Sequence, residues 1–348
     1  MILLIPLGGF GDRFKKEGYK MPKALVSIAG KPIIFYLLES LNLKNIDFVY
    51  IPYNKEYIPF RFEQILSNQF PNIKFKFLIL NEQTRGAAET INIALKELNI
   101  NDCPILSLDS DLFFTTDIVN IWNGENKIVA IENTDVNPIF SYIYGENGII
   151  KDIVEKVKIS DYACSGAYGF NSWKELLSYT QFILDYNIMQ KNEFYTSTVI
   201  KEMIKDGIEF KYEVIDSNDW KCLGTPKQIK EFYFNNKLEG KSKICIDFDK
   251  VVMTYPKNGD IKTCEPVKEV IDFIIFLREL GNKVILHSNR IVDGSNGYVL
   301  SEIGKITFEQ LEKFGIPFDE IYFGKPIADY YVNDCFEDME KLIGFYKE

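Results

Sequence analysis

An uninterrupted apolar run, residues 2–6, leads straight into Leu7-Gly8-Gly9-Phe10-Gly11-Asp12-Arg13-Phe14, and Pro22-Lys23-Ala24-Leu25 follows shortly after. A buried strand that empties into glycines is the opening of a phosphate-cradling loop. Glycine has no Cβ, so backbone N–H groups can approach phosphate oxygens closely and turn toward them. Arg13 and Lys23 then place two cations near the same anion, which a polyphosphate needs. This arrangement at the start of a chain points to an α/β fold and a nucleotide ligand.

The rest of the chain keeps the same rhythm. Residues 2–6, 48–51, 75–80, 105–108 and 128–131 read as strands, and 32–41, 56–68 and 86–98 as helices. Such alternation predicts a mostly parallel sheet covered by helices on both faces. Ligands of such sheets bind beyond the carboxyl ends of the strands. Gly8 to Arg13 and Asp109 to Asp111 both follow strands, so both can reach one cleft. A helix over 226–238 precedes Glu239-Gly240-Lys241-Ser242, and then a second alternation begins. It has strands at 243–248, 283–286, 321–323 and 330–332 and helices at 266–280 and 307–314. A boundary near Gly240 divides the chain into domains 1–240 and 241–348, in keeping with a length of 348 residues.

The bulk numbers exclude more than they assign. A net charge of -10 argues against nucleic acid or an anionic membrane surface as partner. No apolar run is long enough to span a bilayer, so membrane insertion is not expected. Met1 leads directly into the first strand, without the basic leader of a secretory signal. The six cysteines are scattered, with no C-x-x-C pair, which suits reduced thiols in a cytoplasm. The single histidine, His287, leaves carboxylates and Lys/Arg to carry any chemistry.

Further elements fall in order. Thr84-Arg85-Gly86-Ala87-Ala88-Glu89-Thr90 opens a helix, where small residues let a base or ribose lie close to the backbone. Asp109-Ser110-Asp111 ends a strand, where carboxylates can hold Mg²⁺. Glu155-Lys156 supplies a cation for a second phosphate. Trp220-Lys221-Cys222-Leu223-Gly224-Thr225-Pro226 comes last. Taken together, residues 1–235 resemble the sugar-phosphate nucleotidyltransferases, which have a Rossmann-like mixed-sheet domain.

The resemblance implies transfer of a nucleoside monophosphate from a triphosphate to a sugar or polyol phosphate, with release of pyrophosphate. It implies that Leu7, Gly8, Gly9, Gly11, Arg13, Lys23, Thr84, Gly86 and Ala87 bind the nucleotide, with Arg13 and Lys23 stabilising charge. Asp111 is implied as the Mg²⁺ ligand, Lys156 as the acceptor-phosphate cation, and Asp111, Glu155, Lys156, Gly166 and Tyr168 as the acceptor site. Many members carry a second metal aspartate two residues before the glycine of G-T-P. Here that position is Cys222, and a thiol is a poor Mg²⁺ ligand. A second ligand is then lost or supplied by Asp109, Asp216 or Asp219.

The C-terminal part contains Asp247-Phe248-Asp249 after a strand, Ser288 after another, Gly324-Lys325-Pro326, and Asn333-Asp334. Two aspartates two residues apart at a strand end share a direction. One can attack phosphorus while the other donates a proton. In this order the residues are similar to haloacid dehalogenase-like phosphatases of the capsule-biosynthesis type. That implies a small capless α/β domain over 241–348 with its own Mg²⁺. Asp247 is implied as nucleophile, Asp249 as general acid, Ser288 and Lys325 as phosphoryl binders, and Asp247, Asp249 and Asp334, with Asn333, as metal ligands. Lys250 replaces the glycine usual after this D-x-D.

These resemblances imply a cytoplasmic bifunctional enzyme with one Mg²⁺ in each domain, acting in bacterial capsule or surface polysaccharide synthesis, with CTP favoured. Two other readings stay open: an active transferase with a silent interaction domain, and a degenerate nucleotide-binding regulator. Homo-oligomerisation also stays open.

Overall fold

The computed structural model describes residues 1–9, 11–236, 238, 242–288, 290, 301–323, 330–332 and 343. The chain forms two compact units, one of residues 1–26 with 32–228, the other of residues 27–31 with 229–348.

In chain order the elements begin β1 (Ile2–Leu4), α1 (Asp12–Lys16), β2 (Ser27–Ile28), β3 (Lys31–Pro32), α2 (Ile33–Glu39), β4 (Phe48–Asn54), α3 (Phe62–Gln69), β5 (Phe75–Leu80) and α4 (Ala87–Lys96). They continue β6 (Ile105–Leu108), β7 (Leu112–Phe114), α5 (Ile118–Trp122), β8 (Lys127–Glu132), β9 (Ser141–Glu146), β10 (Ile149–Glu155) and β11 (Tyr162–Phe170). Then come α6 (Trp173–Asp185), α7 (Thr196–Lys205), β12 (Lys211–Ile215), β13 (Trp220–Cys222) and α8 (Pro226–Asn235).

The first unit is built on a nine-stranded sheet in the order β5-β4-β1-β6-β11-β8-β12-β10-β9. Its inner strands are apolar on both faces because both faces are covered. Leu3, Val49, Ile51, Leu106 and Leu108 pack with Ile34 and Leu37 of α2, Leu66 of α3 and Trp122 of α5. On the other face Ile2, Leu4, Tyr50 and Ile105 pack with Ile91 and Leu95 of α4, Leu176 of α6 and Val199 of α7. Truncating one of these leucines or isoleucines to alanine would cost about 2–5 kcal/mol.

The expectation of a mostly parallel sheet is corrected in part. β5, β4, β1 and β6 are parallel, but β11 runs antiparallel to β6 and to β8. The rest of the sheet is mixed: β8 and β12 are parallel, while β9 and β10 form an antiparallel hairpin joined by Asn147-Gly148, both at positive φ. That pair makes the tight hairpin turn whose twist matches the flanking strands. The expected helix over 56–68 is also corrected. A 3-10 turn, Lys55–Phe60, contains Pro59 and ends at Arg61 with φ 54, and α3 starts only after it. Proline cannot continue a helical hydrogen-bond ladder, and a left-handed residue reverses the path.

In the second unit β14 (Lys243–Asp247) pairs parallel with β15 (Lys283–His287) and with β17 (Tyr330–Val332), and β15 pairs parallel with β16 (Glu320–Tyr322). The order is β16-β15-β14-β17. The helices are α9 (Lys268–Glu279), which buries Val270, Phe273, Ile274 and Leu277, and α10 (Ser301–Lys313). Among the described residues no helix is long and apolar enough to cross a membrane.

Candidate active site

The carboxyl ends of β1 and β6 are neighbours in the sheet, and the loops that leave them carry the polar residues. Past β1, Leu7 stays tied to the sheet: its N–H donates to the Pro52 carbonyl at 2.8 Å and its carbonyl accepts from Asn54 N at 3.1 Å. Gly8 is then packed against two threonines. A Cβ there would lie 2.2 Å from Thr90 Oγ1 and 2.3 Å from Thr84 Oγ1, and those hydroxyls are hydrogen-bonded at 2.7 Å. Gly9 is open, and a Cβ there would meet nothing within 4 Å. Gly11 has φ 66 and caps α1, with space for a Cβ closed by Lys23 Cβ at 2.9 Å. So the glycines bring the loop against Thr84 on one side and Lys23 on the other.

Lys23 lies in the 3-10 turn Lys23–Leu25, and its Nζ is 3.2 Å from Asp111 Oδ2. Burial alone would depress the Lys23 ammonium. The Asp111 carboxylate, with Tyr57, Asp109 and Cys222 nearby, outweighs it and leaves the group above the ordinary lysine value. The short antiparallel pair β7–β13 sets Cys222 opposite Leu112, and Leu223 N donates to the Asp111 carbonyl at 2.7 Å. This pins the Gly224 turn onto Asp111. A Cβ on Gly224 would lie 2.1 Å from Asp111 Oδ2. Cys222 Sγ is 3.9 Å from the same oxygen, and burial, with that carboxylate, pushes the thiol up to about 12.

Asp109 is the second carboxylate of the loop. β11 bulges between Cys164 and Ala167, and Gly166 takes φ 89 there. Asp109 N donates to the Gly166 carbonyl at 3.0 Å, and a Cβ on Gly166 would lie 2.8 Å from Asp109 Oδ2. Burial pushes the Asp109 carboxyl up to about 7, with Asp111 and Glu155 adding to the rise and Lys23 opposing it.

Glu155 ends β10 and is buried at 6% exposure. Its Oε2 accepts from Ser141 Oγ, and from Ser197 Oγ at 3.0 Å. Lys156 follows at φ 51, with Nζ 3.7 Å from Glu155 Oε1 and 2.7 Å from Tyr195 Oη. Tyr168 sits in the core, and burial raises its phenol well above the ordinary value, helped by Cys164, Asp109 and Glu155.

Gly86 has φ 142, and a Cβ there would meet the Phe194 carbonyl at 2.4 Å; Ala87 then opens α4. Arg85 is clamped to Glu89, its Nε donating to Oε1 at 2.9 Å. Arg13 stands exposed on α1.

The first unit therefore brings Gly11, Lys23, Asp111, Cys222 and Gly224 into one cluster, sets Gly8 on Thr84, and sets Gly166 on Asp109. Tyr195, Ser141 and Ser197 carry no signal in the sequence. They lie in unremarkable polar stretches, and only the folded chain sets them beside Lys156 and Glu155. Asp216 and Asp219, the other candidate substitute ligands, are engaged elsewhere: Asp216 caps the turn Ser217–Asp219, and Asp219 accepts from Thr115.

The donor set can be tested against Mg²⁺. Asp111 offers a partly accessible carboxylate, and Gly224 leaves room beside it. A protonated thiol at Cys222 offers nothing to a hard cation. Mg²⁺ commonly takes one or two carboxylates and completes its shell with phosphates and water. Asp111 fits that use. Among the described residues no group of three or more His, Cys, Asp or Glu is placed to hold a metal by itself.

In the second unit Asp247 Oδ1 is 2.7 Å from His287 Nδ1. Asp249 accepts from Ser288 Oγ at 2.9 Å and from Arg290 Nε at 2.5 Å. Lys250 has φ 71. Lys325, Asn333 and Asp334 lie outside the described residues.

Residues 2–238 match the family of nucleotidyl transferases, and the chain belongs to that family. The chain is 25% identical over 240 residues to the mannose-1-phosphate guanylyltransferase catalytic subunit beta of Drosophila pseudoobscura pseudoobscura, a match covering 65% of this chain and 60% of that one. It is 25% identical over 264 residues to a bifunctional sugar-1-phosphate nucleotidylyltransferase/acetyltransferase of Sulfurisphaera tokodaii, covering 69% and 61%. The chain thus spans about 60% of the length of these relatives. Among solved structures, a nucleoside-diphosphate-sugar pyrophosphorylase from Vibrio cholerae RC9 superposes with a TM-score of 0.59 at 21% identity, covering 67% of this chain and 100% of that one. The inositol-1-phosphate CTP transferase from T. maritima gives 0.55 at 13%, covering 67% and 93%. At these identities the likeness is one of fold.

Proposed function

We propose that the first unit joins a nucleoside triphosphate to a sugar or polyol phosphate and releases pyrophosphate. The observation that carries this reading is the contact of Lys23 with Asp111 beside the glycine loop, with Glu155 and Lys156 at the end of β10 in the same sheet. The acceptor phosphate is itself the nucleophile: its oxygen bonds to the α-phosphorus as the bond to pyrophosphate breaks. No general base is needed. The protein must hold two anions in line and offset their repulsion.

On this reading Gly8, Gly9 and Gly11 admit the triphosphate to the backbone, and Lys23 and Arg13 offset its charge. Thr84, Gly86 and Ala87 face the nucleoside. Lys156 holds the acceptor phosphate, while Glu155 accepts hydroxyl hydrogens from the acceptor's body near Gly166. Asp111 would hold Mg²⁺, which when bound supplies further positive charge to the phosphates. CTP is the triphosphate we put first, and bacterial surface polysaccharide supply the setting. The test is a panel of CTP, GTP, UTP and dTTP against sugar and polyol phosphates, with pyrophosphate measured. No release from any pair in the panel refutes the reading.

For the second unit we propose phosphomonoester hydrolysis of the haloacid dehalogenase type. The parallel sheet, with Asp247 and Asp249 at the end of β14 and Ser288 at the end of the adjacent β15, supports it. A second reading, a silent interaction domain, draws on the pairing of Asp249 with the buried Arg290, which occupies the would-be general acid. Hydrolysis of p-nitrophenyl phosphate that disappears in Asp247→Asn supports the first; no hydrolysis above background by the intact protein supports the second.

A further inference from the structure

We infer that Tyr195 is a positioning residue that holds the Lys156 ammonium ready for a phosphate, an inference that rests on the reading of Lys156 given above. A lysine side chain is long and flexible, and fixing it costs rotamer freedom. The backbone of Lys156 is already set: it has φ 51, and its N–H donates to the Phe140 carbonyl at 2.9 Å. The side chain needs a separate anchor, and Tyr195 gives it: the phenol oxygen accepts from Nζ at 2.7 Å.

Tyr195 can do this because its neighbours fix it. Phe194 N donates to the Arg85 carbonyl at 2.9 Å, and the Phe194 carbonyl accepts from Ala88 N at 3.0 Å. The Arg85 guanidinium lies over the Phe194 ring at 4.7 Å. On the other side α7 begins, and the Tyr195 carbonyl accepts from Thr198 N at 3.1 Å. The anchor is therefore built before any ligand arrives.

Lys156 is also paired, at longer range, with Glu155. Its Oε1 lies 3.7 Å from Nζ, while Oε2 is held by Ser141 and Ser197. Without the phenol the ammonium would close further on this carboxylate, and the pair would tighten. A neutralised lysine attracts phosphate weakly. Tyr195 thus holds the ammonium back from closer contact with the carboxylate, by offering an uncharged oxygen.

The test is acetylation of Lys156 by acetic anhydride in the full chain, read by peptide mass spectrometry, with inorganic phosphate as the protecting ligand. In the wild-type protein phosphate slows the reaction. In Tyr195→Phe the phosphate concentration for half-protection rises about three- to tenfold, the worth of one ordinary hydrogen bond. Tyr195→Leu, which loses the same oxygen, raises it at least as much. If Tyr195→Leu fails to fold, Tyr195→Phe, which loses a single oxygen, carries the test. A lowered melting temperature with an unmoved half-protection point assigns Tyr195 a structural role only and overturns the inference, with the reading of Lys156 intact. Phosphate that fails to protect Lys156 even in the wild type overturns that reading, and the inference with it.

Discussion

Lys23 Nζ lies 3.2 Å from Asp111 Oδ2, although the two residues are far apart along the chain, and both side chains are partly screened from solvent. The pair joins the loop after β1 to the loop after β6. A cation and a carboxylate from two separate loops are thereby held next to one another.

Removing either partner is expected to abolish most nucleotidyl transfer. Lys23→Ala and Asp111→Ala should each lower turnover by at least about 100-fold, the scale seen when one preorganised charge-stabilising group is deleted. Far-UV circular dichroism should stay unchanged. Near-normal pyrophosphate release from either variant would refute the assignment.

Gly224→Ala tests the same point by crowding. The added carbon would meet Asp111 Oδ2 at 2.1 Å, so the carboxylate must turn away. We expect a large loss of activity with a modest change in melting temperature. Gly86→Ala should cost stability as well as activity. There the new carbon would meet the Phe194 backbone at 2.4 Å, at φ 142, where alanine is strained. Backbone cannot swing aside as a side chain does, and a loss of about 1–3 kcal/mol or more is expected in chemical denaturation.

Asp109 gives a pH signature. Its carboxyl is pushed up to about 7 from an ordinary 3.8. The folded protein therefore binds this proton more tightly than the unfolded chain. That contribution is fully present below about pH 4 and is lost as pH rises through about 7. Asp109→Asn cannot ionise, so its melting temperature should exceed that of the wild type at about pH 8, and the difference should shrink toward about pH 4.5. Parallel melting curves across that range would contradict the burial of this group.

Cys222 should be a poor nucleophile. With its thiol pushed up to about 12, very little thiolate exists at about pH 8. Iodoacetamide should label it far more slowly than a free thiol such as glutathione, as read by peptide mass spectrometry. Cys222→Asp would place a second carboxylate beside Asp111, and tighter Mn²⁺ binding is the result expected by calorimetry in the absence of nucleotide.

Much of this protein was legible from local chemistry. Apolar runs mark β1 and β6 because strands buried on both faces must be apolar throughout, and Gly11 and Gly86 mark turns because their backbone angles disfavour a side chain. The family itself was readable from Gly8 through Gly224. The break in the expected helix over 56–68 was written in Pro59, and the β9–β10 hairpin in Asn147-Gly148. What the linear order could not contain was distance. That Asp216 and Asp219 are engaged elsewhere, that Gly224 makes room for a carboxylate, and that Tyr195 meets Lys156 are consequences of how distant segments pack. Local propensity acts through neighbours in the chain, whereas burial and charge act through neighbours in space, and only the packed sheet decides which those are.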